Sequence, residues 1–94
     1  MRTEKADVAI SINGRDAGKR FIIVETQDDY SMLADGKRRR VEKPKRKKNK
    51  HLMVEGRVDS RTADRLISDE KITNSDVRRA LARYAAERSE AGGM

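Results

Sequence analysis

The stretch Ser11-Ile12-Asn13-Gly14-Arg15-Asp16-Ala17-Gly18-Lys19-Arg20-Phe21 constrains the fold more than any other part of this chain. It places two glycines and a set of cations between two runs of strand-forming residues. Gly14 and Gly18 stand where a chain leaving one strand and entering the next needs positive φ or a close backbone approach. Asp16 is placed to close the turn onto a neighbouring amide, which leaves Arg15, Lys19 and Arg20 to point outward. Free backbone N–H groups and cations in one loop suit a phosphate, because both neutralise it. Plain hairpins also use glycine-flanked basic turns, so the chemistry of the turn alone leaves both readings open.

The flanking residues read as β-structure. From Asp7 to Asn13 the chain alternates, with Val8, Ile10 and Ile12 on one face and Ala9, Ser11 and Asn13 on the other. Phe21 to Thr26 is rich in β-branched residues and too short for a helix, which predicts a central strand with Phe21 in the core. Gln27-Asp28-Asp29 has turn character, and Tyr30, Met32 and Ala34 then alternate against Ser31 and Leu33. Asp35-Gly36 predicts a two-residue hairpin, since a type I′ turn needs positive φ at both central positions. The strand it opens, Lys37 to Glu42, would be a basic edge strand ended by Pro44. In that strand Arg38 and Arg40 oppose Arg39 and Val41, so Arg39 is expected to turn its stem inward with its head at the rim. Lys45 to Lys50 then reads as a basic loop, and Leu52 and Val54 as a last short strand.

Gly14-Arg15-Asp16-Ala17-Gly18-Lys19, followed by Phe21-Ile22-Ile23-Val24 and preceded by Val8, Ile10 and Ile12, resembles a KOW motif. The pattern is similar to KOW-containing large-subunit ribosomal proteins of the archaeal and eukaryotic type and their small bacterial relatives. The likeness covers roughly residues 6 to 55, with Ala34-Asp35-Gly36 and the Lys43-Pro44-Lys45 to His51-Leu52 segment supporting it. Two residues depart from the motif: Ala17 stands where many members have lysine, and Phe21 near where many have glycine. The resemblance implies an SH3-like barrel whose turn meets ribosomal RNA.

Gly56 marks a change of regime. Beyond it Asp59 or Ser60 is expected to cap a short helix with Ala63, Leu66 and Ile67 on one face. After a turn at residues 68–71, Thr73 and Asp76 form a variant capping box, with Ile72 and Val77 placed as a hydrophobic staple. The next helix carries a stripe of Val77, Ala80, Leu81, Tyr84 and Ala85 and ends at Ala91-Gly92-Gly93. That stripe either docks on the barrel or stays open for a partner. Arg78, Arg79 and Arg83 lie off it. The expected architecture is therefore mainly β with an α appendage: a five-stranded SH3-like barrel over residues 1–56, followed by a helical hairpin and tail over residues 57–94.

Charge sharpens the functional expectation. The net charge of +7 is concentrated in residues 37–50, which hold ten basic and one acidic side chain, against five and seven in residues 1–36 and eight and eight in residues 51–94. A block of this density attracts a polyanion. Catalysis has little support: there is no cysteine and one histidine, His51, expected at a turn or rim. No catalytic residue, metal site, cofactor or small-molecule substrate is expected. No stretch approaches the roughly 20 apolar residues of a membrane span, so a cytoplasmic protein is expected.

The expected RNA-binding set is Arg15, Lys19, Arg20, Arg38, Arg40, Lys45, Arg46, Lys47, Lys48 and Lys50, with Gly14, Asp16 and Gly18 setting the turn. Few aromatics interleave with these cations, which favours recognition of structured RNA, most of all ribosomal RNA of the large subunit, by shape and phosphate. Two other readings stand: a protein-interaction KOW module meeting RNA polymerase or a ribosomal protein, and a non-specific DNA binder.

Overall fold

The computed structural model describes residues 2–92. The chain is mainly β, with five antiparallel strands in one sheet and two helices. The strands are β1 (Asp7–Ser11), β2 (Arg20–Gln27), β3 (Tyr30–Ala34), β4 (Lys45–Lys48) and β5 (Leu52–Arg57); the helices are α1 (Ser60–Ile67) and α2 (Asn74–Gly92). The sheet order is β4-β3-β2-β1-β5, which puts β2 at its centre. A single 3-10 turn, Asn49–His51, leads from β4 at one edge to β5 at the other, and no ladder joins those two edges.

Both sides of the sheet are buried, and by different means. Val8, Ile22 and Ala34 face the helices and share a cluster with Val58, Ala63, Leu66, Ile72, Val77 and Ala80. Leu81 and Tyr84 pack against the same cluster, so the α2 stripe docks on the sheet. On the opposite side Ala9, Phe21, Ile23, Leu33 and Leu52 form a second cluster to which neither helix contributes. Phe21, Ile23 and Leu33 have no exposed surface at all. Burying these side chains is the main favourable term in a chain with so few aromatics.

Local sequence explains the helix ends. Asp59 caps α1, its carboxylate accepting from the Thr62 amide at 3.1 Å. At α2 the capping box is reciprocal: the Thr73 amide donates to Asp76 Oδ2 at 3.0 Å, and the Asp76 amide donates to Thr73 Oγ1 at 3.1 Å. Ile72 and Val77, the expected staple, are both buried in the helix-side cluster. The expected end of α2 lies only partly within the described residues, which stop at Gly92.

Four expectations are corrected. The basic edge strand is Lys45–Lys48, not Lys37–Glu42, and the segment expected as a loop is the strand. Residues 37–42 instead fold onto Asp35, whose Oδ1 accepts from the Lys37 and Arg39 amides at 2.9 Å each. The Asp35 and Gly36 amides both donate to the Arg39 carbonyl, so the backbone groups a strand would use are spent inside the loop. For the same reason Asp35-Gly36 is not a type I′ pair: only Gly36 has positive φ, at 78°. On β1 the buried residues are Asp7, Val8, Ala9 and Ser11, while Ile12 is 54% exposed, because the helices bury one face of the strand and the second cluster buries the other. Finally, Ile67 points to solvent, and α1 contacts the sheet through Ala63 and Leu66.

Candidate nucleic-acid interface

The turn between β1 and β2 is closed by its own backbone hydrogen bonds. The Gly18 amide donates to the Ser11 carbonyl at 2.7 Å, the Ala17 amide to Gly14, the Lys19 amide to Asp16, and the Ser11 amide to Lys19. Gly14 and Gly18 have φ of 78° and 84°, and a Cβ at either would meet nothing closer than Lys47 Nζ at 3.5 Å. Their requirement is therefore the left-handed backbone and not a close approach. Three of the turn's amides are consumed in closing it. The exposed Gly14 and Arg15 amides engage no acceptor among the described residues.

Asp16 works differently from the sequence expectation. Its carboxylate does not close the turn on a neighbouring amide; it is buried and takes a 2.8 Å ion pair from Arg39 Nη2. Burial pushes its pKa up, but the Arg39 hydrogen bond and charge, with Lys19 and Lys47 nearby, outweigh that and hold it below the usual carboxylate range. Arg39 thus turns inward as expected and ties the 35–44 loop to the turn. Lys47 adds a second tie, its ammonium donating to the Asn13 carbonyl at 2.8 Å. His51, on the 3-10 turn, adds a third through Nδ1, 2.8 Å from Asn13 Nδ2. The 35–44 loop, β4 and the 3-10 turn are thereby fastened to the β1–β2 turn.

The expected binding residues divide by what they touch. Arg20 has partners on β5 and α2: its Nε donates to Glu55 at 2.7 Å, and its guanidinium lies 5.3 Å from the Tyr84 ring centre. Glu55 also pairs with Arg88 at 3.3 Å, so Arg20 fastens α2 to the sheet. Arg40 pairs with Glu42 at 3.1 Å on the surface, and Lys19 lies 4.0 Å from Asp16. The side chains of Arg15, Arg38, Lys45 and Lys50 have no ion pair or hydrogen bond among the described residues, and the same holds for the side chains of Lys37 and Lys43, which the sequence did not single out as binding residues. Only the charge block at 37–50 pointed to those two lysines.

Along β4 the side chains alternate, Lys45 and Lys47 half-buried and Arg46 and Lys48 exposed. Arg46 lies over the Tyr30 ring with its guanidinium carbon 3.8 Å from the centroid, and Lys48 Nζ is 5.9 Å from the same ring. Between β4 and the loop before it, a hollow of about 470 Å³ is lined by Pro44 and six basic side chains, Arg38, Arg39, Arg40, Lys43, Lys45 and Arg46. Among the described residues no carboxylate lines it. Such a hollow suits an anion with several oxygens, and arginine forks can bind it in bidentate fashion.

Among the described residues no group of three His, Cys, Asp or Glu side chains could hold a metal ion, and no helix is long and apolar enough to cross a membrane. Comparison with known proteins finds no family model that matches the chain and no match among curated proteins.

Proposed function

We propose that this chain is an SH3-like KOW barrel that docks on structured RNA, with ribosomal RNA of the large subunit as the favoured target, and that it does so without catalysis. The observation that carries the reading is the cationic hollow beside the β1–β2 turn. There, Arg38, Lys43, Lys45 and Arg46, whose side chains have no ion pair among the described residues, converge beside Arg39 and Arg40, which pair with Asp16 and Glu42. The second apolar cluster supports the barrel: Phe21, Ile23 and Leu33 are fully buried on a side that no helix covers, as expected of a sheet curling on itself. The α2 stripe, one of the two surfaces on which a protein-partner reading would rest beside the sheet edge, is spent on the sheet.

The mechanism is electrostatic docking. Arg15 and the exposed Gly14 and Arg15 amides meet one phosphate, and the cations of the loop and β4 meet others along the backbone. Arg39, Lys47 and His51 hold the turn against β4 so that the donors are spaced before RNA arrives, which limits the entropy lost on binding.

The test is fluorescence anisotropy with a structured rRNA hairpin across a potassium chloride series. Engagement of six or so phosphates predicts that affinity falls about a thousandfold between 50 and 200 mM salt. RNA binding that ignores salt, or tighter binding to duplex DNA of equal length, would overturn the reading.

A further inference from the structure

The Tyr30–Arg46 pair is a feature that simple phosphate docking does not require. The β3–β4 register sets Tyr30 opposite Lys48 and Met32 opposite Arg46, so Arg46 lies diagonal to Tyr30 on one face. At 3.8 Å from the ring centre, the guanidinium is held against the aromatic face. No carboxylate or carbonyl among the described residues takes its N–H donors, so the side chain is oriented by the ring and free to bind.

Beside this pair lies a second hollow of about 370 Å³, lined by Asp29, Tyr30, Lys48, Asn49 and Lys50. Its size falls within the range of small-molecule sites. It mixes an aromatic wall with two lysines and one carboxylate. Asp29 would repel a phosphate, but it can accept a hydrogen bond from the amino edge of a base.

We propose that this hollow receives one unpaired RNA nucleotide. Its base stacks on the Tyr30–Arg46 pair with its amino edge toward Asp29, and its flanking phosphates lie on Lys48 and Lys50. The proposal rests on the RNA-binding reading and narrows it. A continuous duplex keeps its bases stacked inside, whereas a bulge or loop can splay one out onto an aromatic ring or a guanidinium plane. The preferred RNA is therefore a helix interrupted by an unpaired nucleotide, with the cationic hollow on the helix backbone and the platform on the interruption.

The test compares the full chain on a fully paired RNA hairpin and on the same hairpin carrying a one-nucleotide 2-aminopurine bulge. The bulged RNA should bind about tenfold more tightly, with a change in 2-aminopurine fluorescence on binding. Arg46→Lys keeps the charge but lacks the plane, and Tyr30→Leu keeps an apolar side chain without the ring. Each should erase the bulge preference, read as the ratio of the two affinities; Tyr30→Leu leaves affinity for the paired hairpin in place, whereas Arg46→Lys, which also lines the cationic hollow, brings both hairpins to one weaker affinity. Arg46 is exposed, so its variant keeps the test decisive even if Tyr30→Leu unfolds. Equal binding of the two hairpins by the wild type, or a preference that survives Arg46→Lys, overturns the platform and leaves the RNA-binding reading standing. Failure to bind either hairpin overturns both.

Discussion

Arg20 and Arg46 make the same kind of contact in two regions of the molecule, and their surroundings give it opposite consequences. Each holds its guanidinium near a tyrosine ring, Arg20 at 5.3 Å from the centre of Tyr84 and Arg46 at 3.8 Å from that of Tyr30. Under α2 a carboxylate completes the group: Glu55, whose side chain is only 6% exposed, takes both Arg20 and Arg88. On β4 no carboxylate among the described residues completes it. The lesson is that the number of basic residues says little about binding, whereas the acids placed among them say a great deal. Arginine under the helix is mortar, and arginine on β4 is available.

The largest effect expected in either region is at their meeting point. Gly36 has φ of 78°, and a Cβ there would stand 2.5 Å from the Asn74 carbonyl oxygen and 2.9 Å from Arg78 Cγ. Arg78 also donates to the Gly36 carbonyl at 2.6 Å, so the start of α2 lies directly on this glycine. Gly36→Val must strain the backbone and push the helix away, for an expected loss of about 4 kcal/mol in urea unfolding. A variant that unfolds at the wild-type midpoint would show that α2 can leave the loop at no cost, and the division between a sealed and an open region would lose its basis.

The next effect separates the regions by readout. Replacing Arg38, Lys43, Lys45, Arg46 and Lys48 by glutamine removes cations that have no acidic partner, so RNA affinity should fall about a hundredfold with little change in melting temperature. Lys47 is left out of this set because it holds the Asn13 carbonyl. Arg20→Gln should do the reverse, costing about 1 kcal/mol of stability through the loss of one partner of Glu55 while RNA affinity stays put. If Arg20→Gln weakens RNA binding at unchanged stability, Arg20 belongs with the open region after all.

How much of this was legible in the sequence depends on the range of the interaction. The α2 capping box and staple were readable because Thr73, Asp76, Ile72 and Val77 act within one turn of chain. The central position of β2 and the burial of Phe21 followed from a short apolar run with no room for a helix. The strand β4 was not readable, because in a run of four basic residues no polar and apolar faces exist to alternate; its strand character comes from pairing with β3. The fate of Arg20 was hidden for a related reason, since Glu55 stands 35 positions away. Local pattern placed the cations correctly as a block, and only the fold shows which of them an acid has taken.

The smallest expected effect tests whether the turn is held by charge. Asp16 has its pKa held below the unfolded value of about 3.9, so it stabilises the fold fully above that value and loses its contribution as pH falls through the lowered one. Arg39→Ala takes away the main group opposing burial, after which burial dominates and disfavours the charged carboxylate. The variant should therefore cost about 1 kcal/mol at pH 7. That cost should shrink as pH falls below about 4, where protonation makes Asp16 neutral in both proteins. Asp76, which the Thr73 amide and Arg79 also hold well below the usual range, titrates alike in both chains and cancels from the difference. Urea unfolding of the two proteins at pH 7 and pH 3 measures that difference directly. A cost equally large at both values would mean that Arg39 supports the turn by packing its stem and not by its charge, and the turn would then belong, like Arg20, to the sealed part of the molecule.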